Sequence, residues 1–171
     1  MFHAFDNSEP NPSISRSSWM ALLARAPHQL MDRVLSPCTD GRLQWLRRPE
    51  TGLMMVQGRI GGTGDRFNVG EITITRCALR LDLGDAEANR TAVGVSYVLG
   101  RNHRHAQLAA VADALLQDPA QHDRLQATLL DPIRRHLGSL EAQRQQRAQS
   151  TKVDFLTVAR ESADNEEGED A

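Results

Sequence analysis

Two short runs of residues have the composition needed to bind an anion or a partner protein. The first is a glycine-rich run followed by a charged pair: Gly61, Gly62, Thr63, Gly64, Asp65 and Arg66. Glycine-rich turns can point several backbone N–H groups at one phosphate. The run is not a P-loop, because no lysine follows it, and it lacks the G-x-G-x-x-G dinucleotide fingerprint. An ordinary hairpin turn is the alternative interpretation.

The second run combines two arginines and two histidines just before a predicted helix: Arg101, His103, Arg104 and His105. A helix N-terminus favours anions, so this run is a candidate contact for a phosphate or for a partner's carboxylate. The two histidines are two positions apart and share no helix face, and no third ligand is apparent, so we predict no metal site. The alternative is a polar capping segment in which one histidine bonds to a backbone carbonyl.

No set of residues typical of nucleophilic catalysis is visible, and we predict no catalytic residue. Ser96 lies within a predicted strand, and neither Cys38 nor Cys77 has a histidine close in sequence. No C-x-x-C motif occurs, so both cysteines are expected to be free thiols.

Four strands are predicted from runs of apolar or alternating residues. They cover residues 43–48, 53–60, 72–81 and 93–99. Pro49 should end the first strand, and the run 53–60 is apolar enough for a strand buried on both faces. In the third strand, Ile72 and Ile74 have the opposite parity to the apolar residues from Cys77 onward. This change of phase predicts a bulge or sharp twist near residues 75–76.

Helices are predicted on both sides of the strands. Serines precede a short helix containing Trp19, and a second helix follows Pro27. The clearest helix runs from Ala106 to Gln117, and a longer one from 121 to 149 should bend at its proline and glycine. The order helices, strands, helices indicates an α+β fold, with an antiparallel sheet of about four strands and the N- and C-terminal helices packed on it.

Composition indicates one domain with polar ends. We predict a disordered tail at 1–13, a single domain at 14–160 and an acidic disordered tail at 161–171. That last stretch holds six of the 22 acidic residues and none of the 20 basic ones, so the rest of the chain is slightly basic. The chain has neither the clustered basic face of a nucleic-acid binder nor a membrane-length apolar run. We therefore expect a cytoplasmic protein that binds neither nucleic acid nor membrane.

Two sequence blocks resemble a known family. The first is ETGLMMVQGRIGGTGDRFNVGEITITRCALRL, from Glu50 to Leu81, and the second is VGVSYVLGRNHRHAQLAAVADALLQ, from Val93 to Gln117. Together with Trp19-Met20 and Val153-Asp154-Phe155, they resemble the G subunit of the bacterial carbon–phosphorus lyase core complex, the PhnG family. The resemblance covers roughly residues 17 to 160.

The resemblance implies a subunit of a multi-protein enzyme. Members assemble with subunits lettered H, I and J. The complex forms α-D-ribose 1-methylphosphonate 5-triphosphate from ATP and an alkylphosphonate, during catabolism of organic phosphonates. Catalysis is attributed to partner subunits, one of which carries an iron–sulfur cluster and uses S-adenosylmethionine. The resemblance therefore implies an accessory or assembly role, with no cofactor bound by this chain. The alternative is a stand-alone nucleotide- or phosphate-binding enzyme that uses the glycine-rich loop.

Overall fold

A computed structural model describes residues 14–38, 43–84 and 90–152. Two short helices, α1 (Arg16–Leu23) and α2 (His28–Leu35), precede three strands, β1 (Leu43–Arg59), β2 (Arg66–Asp82) and β3 (Thr91–Leu99). Helices α3 (His103–Leu116), α4 (Pro119–Leu125) and α5 (Asp131–Ser150) follow, with a π-helical segment, Gln126–Leu130, between the last two. The predicted tails at 1–13 and 161–171, and the segment 153–160, lie outside the described residues.

The sheet is antiparallel in the order β1-β2-β3, which confirms the predicted α+β class. Within the described residues it has three strands rather than about four, because the two predicted runs on either side of Pro49 form one continuous strand, β1. Pro49 is accommodated because β1 lies at the edge of the sheet and its pairing with β2 shifts register between Arg47 and Glu50. An edge strand can carry a proline at such an irregularity without losing a hydrogen bond from a central ladder.

The β1–β2 pairing has an irregularity close to the bulge or sharp twist predicted near residues 75–76, but β2 is not the strand that carries the extra residue. The pairing of β2 with β3 is unbroken from Ile74 to Asp82, so β2 itself does not slip there. The irregularity lies on the partner strand β1, opposite the step from Arg76 to Ala78. The change of phase instead reflects burial on both faces at one point of β2, since Ile74 and Thr75 are neighbours and both are buried.

β1 and β2 extend well beyond β3 and form a two-stranded hairpin, which we call the arm (residues 52–73). β3 pairs with β2 only as far as Ile74, whereas β1 and β2 stay paired out to Arg59 and Arg66. The prediction that residues 53–60 are buried on both faces is wrong: Leu53 is 66% exposed and Ile60 is 77% exposed. The reason is that no described element of the chain covers the arm.

Helix α3 forms a middle layer between the sheet and the other helices. It packs on all three strands on one side and on α1, α2 and α4 on the other. This position explains why nearly every residue of α3 is buried, including the predicted stripe of Leu108, Val111, Leu115 and Leu116. Alanines fill the remaining positions, because small side chains allow the helix to approach two layers closely.

Helix α3 approaches β3 closely at Gly94. A Cβ atom at Gly94 would lie 1.9 Å from the carbonyl oxygen of Ala110 and 2.9 Å from the backbone nitrogen of Ala114. Both atoms belong to the helix backbone and cannot rotate away. The absence of a side chain at this position therefore sets the distance between the helix and the sheet.

A buried carboxylate fixes the same contact. Asp113 of α3 accepts hydrogen bonds from Arg16 Nη2 (2.7 Å) and Trp19 Nε1 (2.9 Å) of α1, and from the backbone N–H of Val95 in β3 (3.0 Å). Its side chain is fully buried and pairs with the partly exposed Arg16. A buried carboxylate is stable when each lone pair is used in this way, so Asp113 joins α1, α3 and β3.

The C-terminal helices continue one another across the π-helical segment, close to the bend predicted at Pro132. Leu125, Leu129, Leu130 and Ile133 are buried against the core, whereas α5 is exposed beyond Leu137. The remainder of α5 is polar and projects away from the core.

We expect Gly94→Ala to lower the free energy of unfolding by about 3 kcal/mol, because the new methyl group must push the backbones of β3 and α3 apart. Urea denaturation followed by circular dichroism measures the change. Gly138→Ala is the matched control: nothing lies within 4 Å of that added Cβ. It should raise stability by up to about 1 kcal/mol, since alanine is the better helix former. Equal stability of Gly94→Ala and wild type would contradict the close approach.

Candidate functional site

The tip of the arm is a compact turn that requires glycine at two positions. Gly61 and Gly62 have φ angles of 59° and 79°, in the left-handed region that disfavours other residues. The amide of Gly64 donates to the carbonyl oxygen of Ile60 at 3.1 Å, which closes the turn. The interpretation of this run as a hairpin turn is confirmed, and the amide of Gly64 is used inside the turn.

The charged residues of the tip include one that sequence reasoning missed. Asp65 and Arg66 are exposed, and Arg66 lies directly opposite Arg59 in the strand register. The Nη1 of Arg59 donates to the carbonyl oxygen of Gly64 at 3.0 Å. Among the described residues, neither arginine forms an ion pair with a carboxylate. Only the register of the hairpin could have revealed the pair, because seven positions separate the two arginines along the chain.

The outer part of the arm has two chemically different faces. A register shift after Val56 leaves Val69 as an extra residue in β2. Beyond it, Phe67 and Val69 lie over Gly58, where an added Cβ would come within 2.8 Å of Val69 Cγ2. The opposite face carries the Arg59–Arg66 pair and the Gln57–Asn68 pair, whose carboxamides are hydrogen-bonded at 3.3 Å. One face is therefore apolar and the other basic and amide-rich.

The second candidate run does not converge on one anion site. His105 is buried, and its Nε2–H donates to the carbonyl oxygen of Leu23 at 2.8 Å. Burial lowers the pKa of His105, partly offset by that hydrogen bond. Arg104 is bound to Asp32 of α2 at 2.8 Å. The interpretation in which one histidine bonds to a carbonyl is confirmed, and His105 is that histidine.

His103 joins α3 to the base of the arm through a chain of hydrogen bonds. Thr75 Oγ1 donates its proton to the carbonyl oxygen of Gly100 (2.7 Å), so it must accept from Thr51 Oγ1 (3.1 Å). Thr51 must in turn accept from His103 Nε2 (3.0 Å). The direction of this chain requires a proton on Nε2 of His103. The interaction holds β1 at the point where the arm leaves the body.

The two candidate runs are far apart. Thr51, which contacts His103, is separated from Arg59 near the tip by eight residues of strand, or about 27 Å. Arg101 is exposed next to His103. The structure therefore brings His103 and Arg101 together at the base of the arm and leaves Gly61 to Arg66 at its far end.

The sheet face opposite α3, which we call the outer face, carries a row of exposed apolar side chains. Strand alternation places them on this face along the arm and across β3, where Arg76 and Arg80 of β2 lie opposite two of them: Met54, Phe67, Val69, Val93, Tyr97 and Leu99. Leu99 is 67% exposed and Val69 is 62% exposed. A row of this kind on one face is typical of a protein–protein interface rather than of scattered surface residues.

The described side chains offer neither a reactive cysteine nor a cluster of metal ligands. Burial raises the pKa of the Cys77 thiol to about 11, so at neutral pH it is not a nucleophilic thiolate. Within residues 14–38, 43–84 and 90–152, no three metal-ligating side chains come together. In the same part of the chain, no helix has the length and apolar character needed to cross a bilayer.

Comparison with known proteins identifies the family. The family model described as phosphonate metabolism protein PhnG matches residues 14–161. The chain belongs to the PhnG family. A PhnG relative from Rhizobium meliloti (strain 1021) is 35% identical over 161 residues, covering 94% of this chain and 98% of the relative. That relative is named α-D-ribose 1-methylphosphonate 5-triphosphate synthase subunit PhnG.

We expect the stability of this PhnG chain to depend on pH through His105. Its pKa is lowered in the folded state, so protonation favours the unfolded chain, in which histidine has a pKa of about 6.5. The stabilisation is present above that pH and is lost as the pH falls through the lower folded value. Urea denaturation from pH 7.5 to 5 should show this loss.

The variant His105→Gln should have a flatter pH dependence between about pH 7 and 5, whereas the exposed control His136→Gln should retain the wild-type slope. The same slope for His105→Gln and wild type would show that His105 does not carry the effect.

Proposed function

We propose that this chain is an accessory subunit of an α-D-ribose 1-methylphosphonate 5-triphosphate synthase complex and acts in the catabolism of organic phosphonates. The observation that carries the proposal is the exposed apolar outer face, continued along the arm. Family membership and the printed name of the Rhizobium meliloti relative supply the identity of the assembly.

The occupant of the outer face is another subunit of the synthase rather than a second copy of this chain. A subunit that functions inside a larger assembly can leave an apolar face uncovered until its partners bind. The relative's printed name, which makes it one subunit of a synthase, supports this choice. The arm is a further reason to expect cover, because an isolated two-stranded ribbon is marginally stable in water. The resemblance to the carbon–phosphorus lyase core complex names subunits H, I and J as the partners.

The catalytic chemistry belongs to the partner subunits in this proposal. ATP and an alkylphosphonate are substrates of the complex, and the iron–sulfur cluster and S-adenosylmethionine of the later cleavage belong to a partner. This chain binds no cofactor of its own and works in the cytoplasm, where ATP is supplied. Its contribution is to hold catalytic partners in position.

Two groups of polar residues are proposed as partner contacts beside the apolar face. The turn from Gly61 to Gly64, with Asp65, lies at the end of the arm, where a partner can enclose it. Arg66 of the same turn is proposed as an anion contact. Arg101 and His103 lie at its base, next to the exposed Leu99. His105 is not included, because its ring is used to hold α1 against α3.

We expect Leu99→Asp and Phe67→Asp each to reduce co-purification of the tagged chain with the other synthase subunits by at least about tenfold, or to abolish it. Leu99 is 67% exposed and Phe67 is 47% exposed in the isolated chain, and neither belongs to the core, so their replacement should leave the fold intact. In the complex, each new carboxylate would be buried without a partner, which is strongly unfavourable.

The control is Ala142→Asp, the same kind of change on the exposed surface of α5. Thermal unfolding of each isolated chain checks that all variants fold. Co-purification of the folded Leu99→Asp and Phe67→Asp chains at the wild-type level would refute the outer face as the docking surface.

A further inference from the structure

The arm ends in two arginines held side by side, neither of which forms an ion pair within the described part of the chain. Arg59 and Arg66 are directly opposed across the strand pair, which places their Cβ atoms about 5 Å apart on one face. Like charges in directly opposite positions destabilise a strand pair. No carboxylate among the described residues forms an ion pair with either arginine. The isolated chain therefore keeps two like charges in an unfavourable position at the end of the arm.

The surroundings of the pair are suited to an anion with several oxygen atoms. Gln57, Gly58, Arg59 and Arg66 line a shallow depression at this place. Gly58 lines it through its backbone only, because the side of Gly58 that a Cβ would occupy faces Val69 and Phe67 on the opposite face. The hydrogen bond from Arg59 to the Gly64 carbonyl fixes one guanidinium in position before any ligand binds.

The other charged groups nearby do not neutralise the pair. Asp65 precedes Arg66 in the turn and is exposed. Glu71 lies opposite Met55, on the body side of the register shift. The segment from Arg59 to Arg66 thus contains two positive charges and one negative charge. Its basic face lies opposite the face formed by Phe67 and Val69, which is free to pack on a partner.

We propose that Arg59 and Arg66 bind the phosphate chain of the nucleoside triphosphate when the arm is docked in the synthase complex. Two planar guanidinium groups provide paired N–H donors that match phosphate oxygens, and a polyanion removes the repulsion between them. The relative's name specifies a 5-triphosphate product, so the assembly must hold a triphosphate. The inference rests on the proposed function, because the arm must reach a partner's substrate site. The alternative ligand for the two arginines is a carboxylate of a partner subunit.

The test uses the assembled complex. Complexes are prepared with the wild-type chain, with Arg59→Gln/Arg66→Gln, and with the control Arg124→Gln/Arg135→Gln, which removes two arginines from exposed helix positions. Subunit composition is checked by size-exclusion chromatography. KM for ATP, kcat, and inhibition by inorganic triphosphate are then measured.

We expect the Arg59→Gln/Arg66→Gln complex to assemble normally. Its KM for ATP should rise at least about tenfold, while kcat changes less than about threefold. Inhibition by inorganic triphosphate should weaken in parallel with the rise in KM. The variant Arg59→Lys/Arg66→Lys should recover part of the affinity, because lysine keeps the charge but loses the fork of donors. The control should match wild type.

Two results would overturn the inference while leaving the proposed function intact. An intact Arg59→Gln/Arg66→Gln complex with wild-type KM for ATP would show that the pair does not bind the substrate. Dissociation of that complex would show that the pair binds a partner's carboxylate instead. Failure of the wild-type chain to join the complex would instead contradict the proposed function itself.

Discussion

The close contact between α3 and β3 is the constraint on which the rest of the structure depends. Gly94 lets the two backbones meet, and the Asp113 carboxylate binds groups from α1 and from the edge of β3. Because α3 is held so near the sheet, it covers all three strands from one side and carries the other helices on its far side. The hydrophobic core is therefore completed on one face of the sheet.

That arrangement leaves the outer face and the arm without cover from the described chain. Strands of 17 residues are much longer than α3 can shield, so their outer halves project as a ribbon whose outer face is apolar. Leu53 and Met55 are also exposed, on the other face near the base of the arm. The edge of β3 near the body is different. Gln117 Nε2 donates to the carbonyl oxygen of Val93, and Asp113 accepts from Val95, so helix side chains already occupy that edge. The described chain thus leaves the outer face uncovered, but not this part of the sheet edge.

Much of the fold follows from patterns that the chain carries locally. Alternation identifies β3, the 3.6-residue period identifies α3, and the glycines at 61 and 62 identify the turn, because each pattern reflects a short-range preference. The exposure of Leu53 and Ile60 was not predictable in the same way. An apolar run looks the same whether it is destined for the core of its own chain or for a partner's surface.

The roles of single polar residues also required the three-dimensional arrangement. His103 and His105 are two positions apart, yet one joins the base of the arm and the other is buried against Leu23. Arg59 becomes part of a site only through its register with Arg66, and Asp113 is a lone acid in an alanine-rich helix until α1 and β3 are placed around it. These roles depend on contacts between residues distant in sequence, which composition and spacing do not specify.

Hydrogen–deuterium exchange tests most directly whether the arm and the outer face are docking surfaces. In the isolated chain, the amides of residues 52–73 should exchange quickly, because a ribbon without further cover opens readily. In the synthase complex, the same amides should exchange at least about tenfold more slowly, while those of the polar end of α5 change less. Unchanged exchange along the arm, with protection appearing elsewhere in the chain, would contradict the account.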